Sequence, residues 1–401
     1  MSRSNPSRNN SSRSISPFVH LRCHSAYSLL EGAIPVAKLI KLATANSMPA
    51  LGLADRNNLF GALEFSEKAA SAGLQPLIGV TLSVVTGAGV APRSVHEAPS
   101  IVLIAKSGEG YGNLLNIVSH AHLDGDGSGI PCFALEALKE RQDGLIALSG
   151  GPDGPIDRAL RNGDEREAGR IAELLSSAFG DRFYIELQRH GVEEERRVEP
   201  GLVDIAYRLG LPLVATNQPY FAEAGDHQAH DALIAIAEGT SVDDPDRRHL
   251  SPEHWFKPAD AMAALFEDLP EAVSNTHEIA MRCAFRPTTR GPILPSFVKD
   301  GSVEDEAAEL RRQAEAGLEA RLAAHGTAPG VDRETYLKRL DYEIEVIARM
   351  QYPGYFLIVA DFIKWAKARG IPVGPGRGSG AGSRVAWALS ITDLDPLRFD
   401  L

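Results

Sequence analysis

The chain has 401 residues, 44% hydrophobic and 23% charged, with 41 Lys and Arg against 53 Asp and Glu for a formal net charge of -12. These proportions predict ordinary buried cores in two or three domains and exclude a wholly disordered chain, while the acidic balance excludes a nucleic-acid coat protein but not a local DNA-binding groove. Three widely separated cysteines, Cys23, Cys132 and Cys283, form neither a disulfide framework nor a zinc spacing, and no apolar run reaches the length of a membrane span, so a reducing cytoplasm is the expected home.

Residues 1–17, rich in Ser, Arg and Asn, have no period and predict a disordered tail. From Phe18 strand-like and helical pieces alternate: strands over 18–24, 50–55 and 77–84, helices over 36–46 and 59–72. Further short apolar runs follow at 101–105, 145–149, 183–187 and 213–216, with helices over 164–179 and 195–209 between several of them. Such alternation is the signature of parallel α/β units. His24, Asp55, His190 and Asn217 fall at the C-terminal ends of strands, the face where a barrel of parallel strands builds its sites. The expectation is a barrel-like α/β domain over 18–285.

The proline-rich stretch 286–295 is the best boundary in the chain. Beyond it, 304–324 reads as a charged helix presenting a solvated face, and 336–350 as a helix packing Leu337, Leu340, Ile344 and Ile347 inward. A third helix, 355–369, stops at Gly370 and Pro372. Then comes Gly374-Pro-Gly-Arg-Gly-Ser-Gly-Ala-Gly-Ser383, whose alternating glycines cannot form an ordinary helix or strand and predict a tight turn. A new helix over 384–391 is expected to start beside Ser379 or Ser383. A glycine turn opening onto a helix start offers free amides and the positive end of the dipole, which favour phosphate, and Arg377 adds a guanidinium. A flexible linker is the bland alternative, opposed by the apolar helices on both sides. The P-loop pattern fails for want of its lysine, and a dinucleotide fingerprint is met only loosely by residues 376–381.

Gln351-Tyr-Pro-Gly-Tyr-Phe-Leu-Ile-Val359, the glycine stretch and Ile391-Thr-Asp-Leu-Asp-Pro-Leu397 together resemble the opening of the palm in the family C polymerases, the alpha subunits of bacterial DNA polymerase III. The resemblance implies that Gly376, Arg377, Gly378, Ser379 and Gly380 contact the triphosphate of an incoming nucleotide. Arg384 stands where the family usually has an aliphatic residue, and is expected at a solvated helix position. Near the other end, His20-Leu-Arg-Cys-His24, residues 55–65 and Tyr184-Ile-Glu-Leu-Gln-Arg-His-Gly191 resemble the polymerase and histidinol phosphatase (PHP) domain that opens the same family. The implied architecture is a PHP-type distorted (β/α) barrel over 18–285, then a helical segment leading into an incomplete palm over 286–401.

In PHP domains His, Asp, Glu and Cys side chains converge on divalent metals that activate water for phosphoester hydrolysis. Of the implied ligands, His24, Asp55 and His190 stand at matching places. Arg22 and Arg56 replace histidines, Thr81 a glutamate and Gly151 a cysteine, while Gln218 and Tyr220 replace an Asp-X-His pair. Arginine stays protonated and cannot ligate a cation, so no catalytic metal cluster is expected. The three survivors are expected as buried hydrogen-bonded groups, with Arg22 and Arg56 as candidate partners.

Asp393 and Asp395 form an Asp-X-Asp pair, but Pro396 follows at once, and the resemblance puts the catalytic pair beyond Leu401. They are expected not to be the metal site. The expectation is thus an N-terminal fragment of a DNA-directed DNA polymerase, with no primer extension of its own. The implied full-length enzyme uses Mg²⁺, primer-template DNA and deoxynucleotides, docks a proofreading exonuclease through the PHP domain, and meets the sliding clamp and clamp loader through regions absent from these 401 residues. Arg22 and the 57–65 block lean towards a main replicase rather than an error-prone paralogue. A PHP-type metal-dependent phosphoesterase or exonuclease, and a non-catalytic scaffold, stand as alternatives.

Overall fold

The computed structural model describes residues 18–86, 94, 96–124, 129–291, 293–298 and 303–401. The tail predicted over 1–17 lies outside them. The chain divides into two compact units, one ending at Thr289 and the other running from Arg290 to Leu401.

In the first unit the elements run α1 (Val36–Ala45), β1 (Ala50–Leu53), α2 (Ala62–Ser71), β2 (Gln75–Val85), β3 (Ser100–Ala105), α3 (Gly108–Leu123), β4 (Phe133–Ala134) and β5 (Leu145–Leu148). Next come α4 (Pro155–Arg161), α5 (Glu165–Phe179), β6 (Phe183–Leu187), α6 (Glu193–Leu209), β7 (Leu213–Ala215), α7 (His227–Glu238), α8 (Ala259–Leu265) and α9 (Pro270–Arg282). The described strands form one sheet ordered β1-β2-β3-β5-β6-β7, with β4 paired to β2. The fold is mixed α/β, a curled half-barrel sheet covered by helices.

It differs from a barrel of parallel strands in one respect. β3 runs antiparallel to both β2 and β5, whereas β1–β2, β5–β6 and β6–β7 are parallel. Parallel neighbours need a crossover, usually helical, and none of the described elements lies between β2 and β3. Residues 18–24 do not form the full strand expected. They run extended beside β1 through a single bridge, Cys23 to Leu53.

Every residue of β1, β3, β5, β6 and β7 is buried, as near-continuous apolar runs in a covered sheet should be. The helix α3 escapes prediction because Gly108, Gly110 and Gly112 depress its propensity. Gly110 is needed there: a Cβ would stand 1.8 Å from the Gly144 carbonyl oxygen. The helix starts where Ser107 Oγ accepts the Gly110 amide at 3.2 Å.

The second unit contains α10 (Val303–His325), α11 (Arg333–Arg349), α12 (Pro353–Ala368), a 3₁₀ turn over Gly378–Gly382 and α13 (Arg384–Ala388). Asp332 caps α11 by accepting the Thr335 amide at 2.8 Å, and Pro353 opens α12, where a missing N–H costs nothing. The charged helix α10 is not merely a solvated face. Leu310, Ala314 and Leu318 recur at helical spacing and are fully buried with Leu340, Ile344 and Trp387. On α11 the expected inward residues hold except Leu337, which is 37% exposed.

Candidate functional site

The glycine stretch is an exposed loop with positive φ at Gly376 (132°) and Gly378 (55°), conformations that only glycine adopts without strain. It borders a cavity of about 730 Å³ whose opposite wall is Tyr355, Phe356, Val359 and Ile363 of α12. Among the described residues Arg377 is the only charged one lining that cavity, and its guanidinium has no partner there. The Thr392 Oγ1 hydroxyl, also on the wall, is buried with no hydrogen-bond partner. Gly376, Arg377 and Gly380 line the cavity, while Gly378 and Ser379 sit on the exposed turn between them. The first amides of a 3₁₀ turn have no partner inside it, and those of Gly378 and Ser379 are the first two of this one.

The helix that follows behaves differently from expectation. α13 does start at Ser383, but its first amides are already engaged. Glu343 Oε2 accepts from the Arg384 and Val385 amides at 2.8 and 3.1 Å, and Ser383 Oγ accepts from Ala386 at 3.1 Å. The dipole of α13 is therefore answered from within the protein, and donors for a phosphate lie upstream, on the loop. Arg384, expected in solvent, is 1% exposed, with its guanidinium 4.5 Å from the centre of the Tyr336 ring. Burial lowers its pKa, and its Nε and Nη1 have no hydrogen-bond partner.

Asp393 and Asp395 do not form a common face. Asp393 is held by Lys367 Nζ at 2.8 Å and Arg321 Nη2 at 3.1 Å, whereas Asp395 turns inward to accept the Tyr336 hydroxyl at 2.6 Å. A divalent cation at Asp393 would face two positive side chains, so this pair does not fit a magnesium site.

In the first unit the structure places His24, Asp55 and His190 close to Arg22 and Arg56, but does not pair them as expected. Arg22, fully buried, donates through Nη1 to the Gly150 carbonyl at 2.7 Å and to Glu186 at 3.3 Å. Arg56 Nε binds Glu31 at 2.8 Å, with Asp153 3.6 Å from its Nη2. Glu31 and Glu186, which sequence reasoning missed, are thus the counter-charges. Asp55 instead accepts from the Ser25 amide and from the hydroxyls of Ser25 and Ser28, at 2.7, 2.8 and 2.6 Å. Since Ser28 Oγ gives its proton to Asp55, it accepts from His24 Nδ1 at 3.0 Å, and His24 Nε2 then accepts the Gln218 amide at 3.0 Å. Burial and the nearby guanidiniums depress the His24 pKa, consistent with this neutral tautomer.

A similar relay fixes His190. Burial lowers His190 to about 3, so its ring is neutral, and raises Glu195 to about 7, so that below that pH the carboxyl can give its proton to His190 Nδ1 at 2.8 Å. His190 Nε2 then donates to Asn217 Oδ1 at 3.1 Å. Thr81 donates to the Ala54 carbonyl at 2.9 Å, Gly151 packs against Gln188, and Tyr220 is buried beside the His24 ring. Among the described residues no three His, Cys, Asp or Glu side chains gather into a group able to hold a metal.

These shifts carry a sign that can be measured. His20 falls to about 4 and His190 to about 3, and His24 and His254 lie well below their ordinary value, all through burial. A histidine with a depressed folded pKa stabilises fully above about 6.5 and loses that contribution as pH falls. His20 and His190 should each cost the fold on the order of 2 kcal/mol between pH 7 and pH 5. Glu195 works oppositely, because its raised pKa makes it more stabilising as pH falls from about 7. The unfolding temperature should drop on acidification to pH 5, and more steeply in Glu195→Gln, which should match or exceed wild type at pH 8. A shallower pH slope in that variant would contradict the assigned proton.

Residues 20–190 match the PHP domain family, and residues 308–401 match the bacterial DNA polymerase III alpha NTPase domain. The DNA polymerase III subunit alpha of Caulobacter vibrioides is 53% identical over 384 residues, covering 96% of this chain and 33% of the relative. Those of Rickettsia bellii and Escherichia coli K12 are 43% and 41% identical, again over 96% of this chain and 33% of theirs. Among solved structures, an amidohydrolase from Chromobacterium violaceum aligns at 17% identity and a TM-score of 0.34, covering 50% of this chain and 87% of its own, a likeness too remote to bear on function. The chain spans about a third of the length of the curated relatives it matches. With both of its parts matched, and matched in that order, the chain belongs to the bacterial DNA polymerase III alpha subunit family, as its N-terminal portion.

Proposed function

We propose that this chain contributes the nucleotide-phosphate end of a DNA-directed DNA polymerase centre, with residues 18–285 as the PHP domain and 286–401 as the start of the palm. In this reading the full-length enzyme adds deoxynucleotides to a primer 3′ end during replication in the cytoplasm. Gly376, Arg377, Gly378, Ser379 and Gly380 hold the triphosphate. The observation that carries it is the unpartnered Arg377 guanidinium on the rim of an otherwise uncharged cavity of about 730 Å³, a size usual for small-molecule sites. Mg²⁺ would serve the full-length enzyme through carboxylates other than Asp393 and Asp395.

The test is calorimetric titration of the 401-residue chain with inorganic tripolyphosphate and with dATP. Arg377→Ala should weaken both by about tenfold or more, the loss of one charge-assisted contact, and Arg377→Lys by less. Because Arg377 is exposed, the unfolding temperature should not move. Equal affinities in wild type and Arg377→Ala would end the reading.

For the first unit, the closed polar network favours a scaffold over a metal-dependent phosphoesterase, since Arg22 and Arg56 fill ligand positions and the His24 and His190 ring nitrogens are already engaged. A proofreading exonuclease is the proposed passenger of that scaffold, and the sliding clamp and clamp loader are partners of the longer enzyme. Co-purification of the exonuclease with the 401-residue chain tests the first of these partnerships.

A further inference from the structure

The start of α13 is an anion-binding arrangement whose anion is a side chain of the same unit. Glu343 Oε2 receives three donors: the Ser383 hydroxyl at 2.9 Å, the Arg384 amide at 2.8 Å and the Val385 amide at 3.1 Å. Its Oε1 is tied to Arg339 Nε at 2.8 Å, one turn earlier on α11. Ser383 Oγ in turn accepts the Ala386 amide at 3.1 Å, so every early donor of this five-residue helix is satisfied.

Tyr336, Leu340 and Glu343 lie along one stripe of α11. Each serves the same neighbour: Tyr336 lies under the Arg384 guanidinium, Leu340 packs in the cluster with Val385 and Trp387, and Glu343 closes the helix end. Glu343 is mostly buried, with 13% of its side chain exposed, so its carboxylate acts where water screens poorly. Val385 is fully buried, and its amide would have no ready replacement partner if the carboxylate were removed.

We propose that Glu343 is a positioning residue for nucleotide binding: it supplies the anion at the α13 start and thereby anchors the C-terminal end of the glycine loop. This rests on the phosphate role of the loop proposed above. Glu343 touches no reacting atom. It holds Ser383, six residues after Arg377, so that the loop presents Arg377 and its unpaired early amides to phosphate while α13 itself binds none. A short helix left without its anion would release the loop, and Arg377 would no longer stand at a fixed place on the cavity rim.

The experiment compares wild type, Glu343→Ala and Glu343→Gln in the full 401-residue chain, with two independent readouts. Amide hydrogen exchange at Arg384 and Val385 should be at least about tenfold faster in Glu343→Ala, should return towards wild type on adding acetate, and should be intermediate in Glu343→Gln, which keeps one acceptor oxygen. Tripolyphosphate affinity should fall about tenfold in Glu343→Ala and recover with acetate, a rescue that general loss of packing would not give. Unchanged exchange, or faster exchange that acetate does not slow, would overturn the assignment of Glu343 as the helix anion. Faster, acetate-rescued exchange with unaltered tripolyphosphate binding would overturn its positioning role. Failure of the wild type to bind tripolyphosphate at all would refute the phosphate role of the loop, and with it the positioning role, while the exchange arm still decides what holds α13. Should Glu343→Ala not fold, Glu343→Gln carries the same comparisons.

Discussion

Glu186→Ala is expected to destabilise the first unit by about 3–5 kcal/mol, the usual effect of stripping the partner from a buried charge. Both Arg22 and Glu186 are wholly inaccessible, so the guanidinium left behind could not turn to water. Glu186 also accepts the Gly150 amide at 3.0 Å, the Gln188 amide at 3.0 Å and the Thr216 hydroxyl at 2.5 Å, and these donors would be orphaned with it. Hydrogen exchange at the β6 amides reports the first unit alone. Protection there should fall by several powers of ten if those amides open by global unfolding. Replacing both partners together, Arg22→Met with Glu186→Leu, should recover only part of the loss, because an apolar pair needs no desolvation but leaves the Gly150, Gln188 and Thr216 donors without their acceptor. A single-variant loss below about 1 kcal/mol would mean that the pair is not the buried counter-charge proposed.

The second large effect concerns α10 where it packs against α13. At Gly317 on α10, an added Cβ would stand 2.1 Å from the Ala388 carbonyl oxygen at the end of α13, and neither a Cβ fixed by its own backbone nor a backbone carbonyl can swing aside by side-chain rotation. Gly317→Ala should therefore destabilise the second unit by about 1–3 kcal/mol through overpacking, despite the better helix propensity of alanine. Exchange at the α13 amides should rise with it. Gly112→Ala on α3 is the control, since a Cβ there meets nothing within 4 Å and the substitution should be neutral or stabilising by up to about 1 kcal/mol. Equal effects at the two positions would show that propensity, not the close approach, decides. Because α13 anchors the loop, Gly317→Ala should also weaken tripolyphosphate binding, whereas Gly112→Ala should not.

Much of this protein was legible without coordinates. Periodicity marked β1, β2, β3, β5, β6 and β7 and the helices α1, α2, α5, α6, α10, α11 and α12, because face burial imposes periods of two and 3.6 on the chain. The glycine loop declared itself through residues that fit no regular element. Residue type and local spacing therefore determined the elements and the loop. They could not name partners. Arg22 meets Glu186 across 164 residues and Arg384 meets Glu343 across 41, separations over which nothing local specifies who lies opposite. Nor could spacing show β3 running against its neighbours, Arg384 entering the core, or Asp393 and Asp395 turning to different partners. Those were decided by the tertiary fold, because a buried charge or a bare helix end takes whichever complementary group packing brings within about 3 Å, and that group is chosen by topology rather than by sequence neighbours.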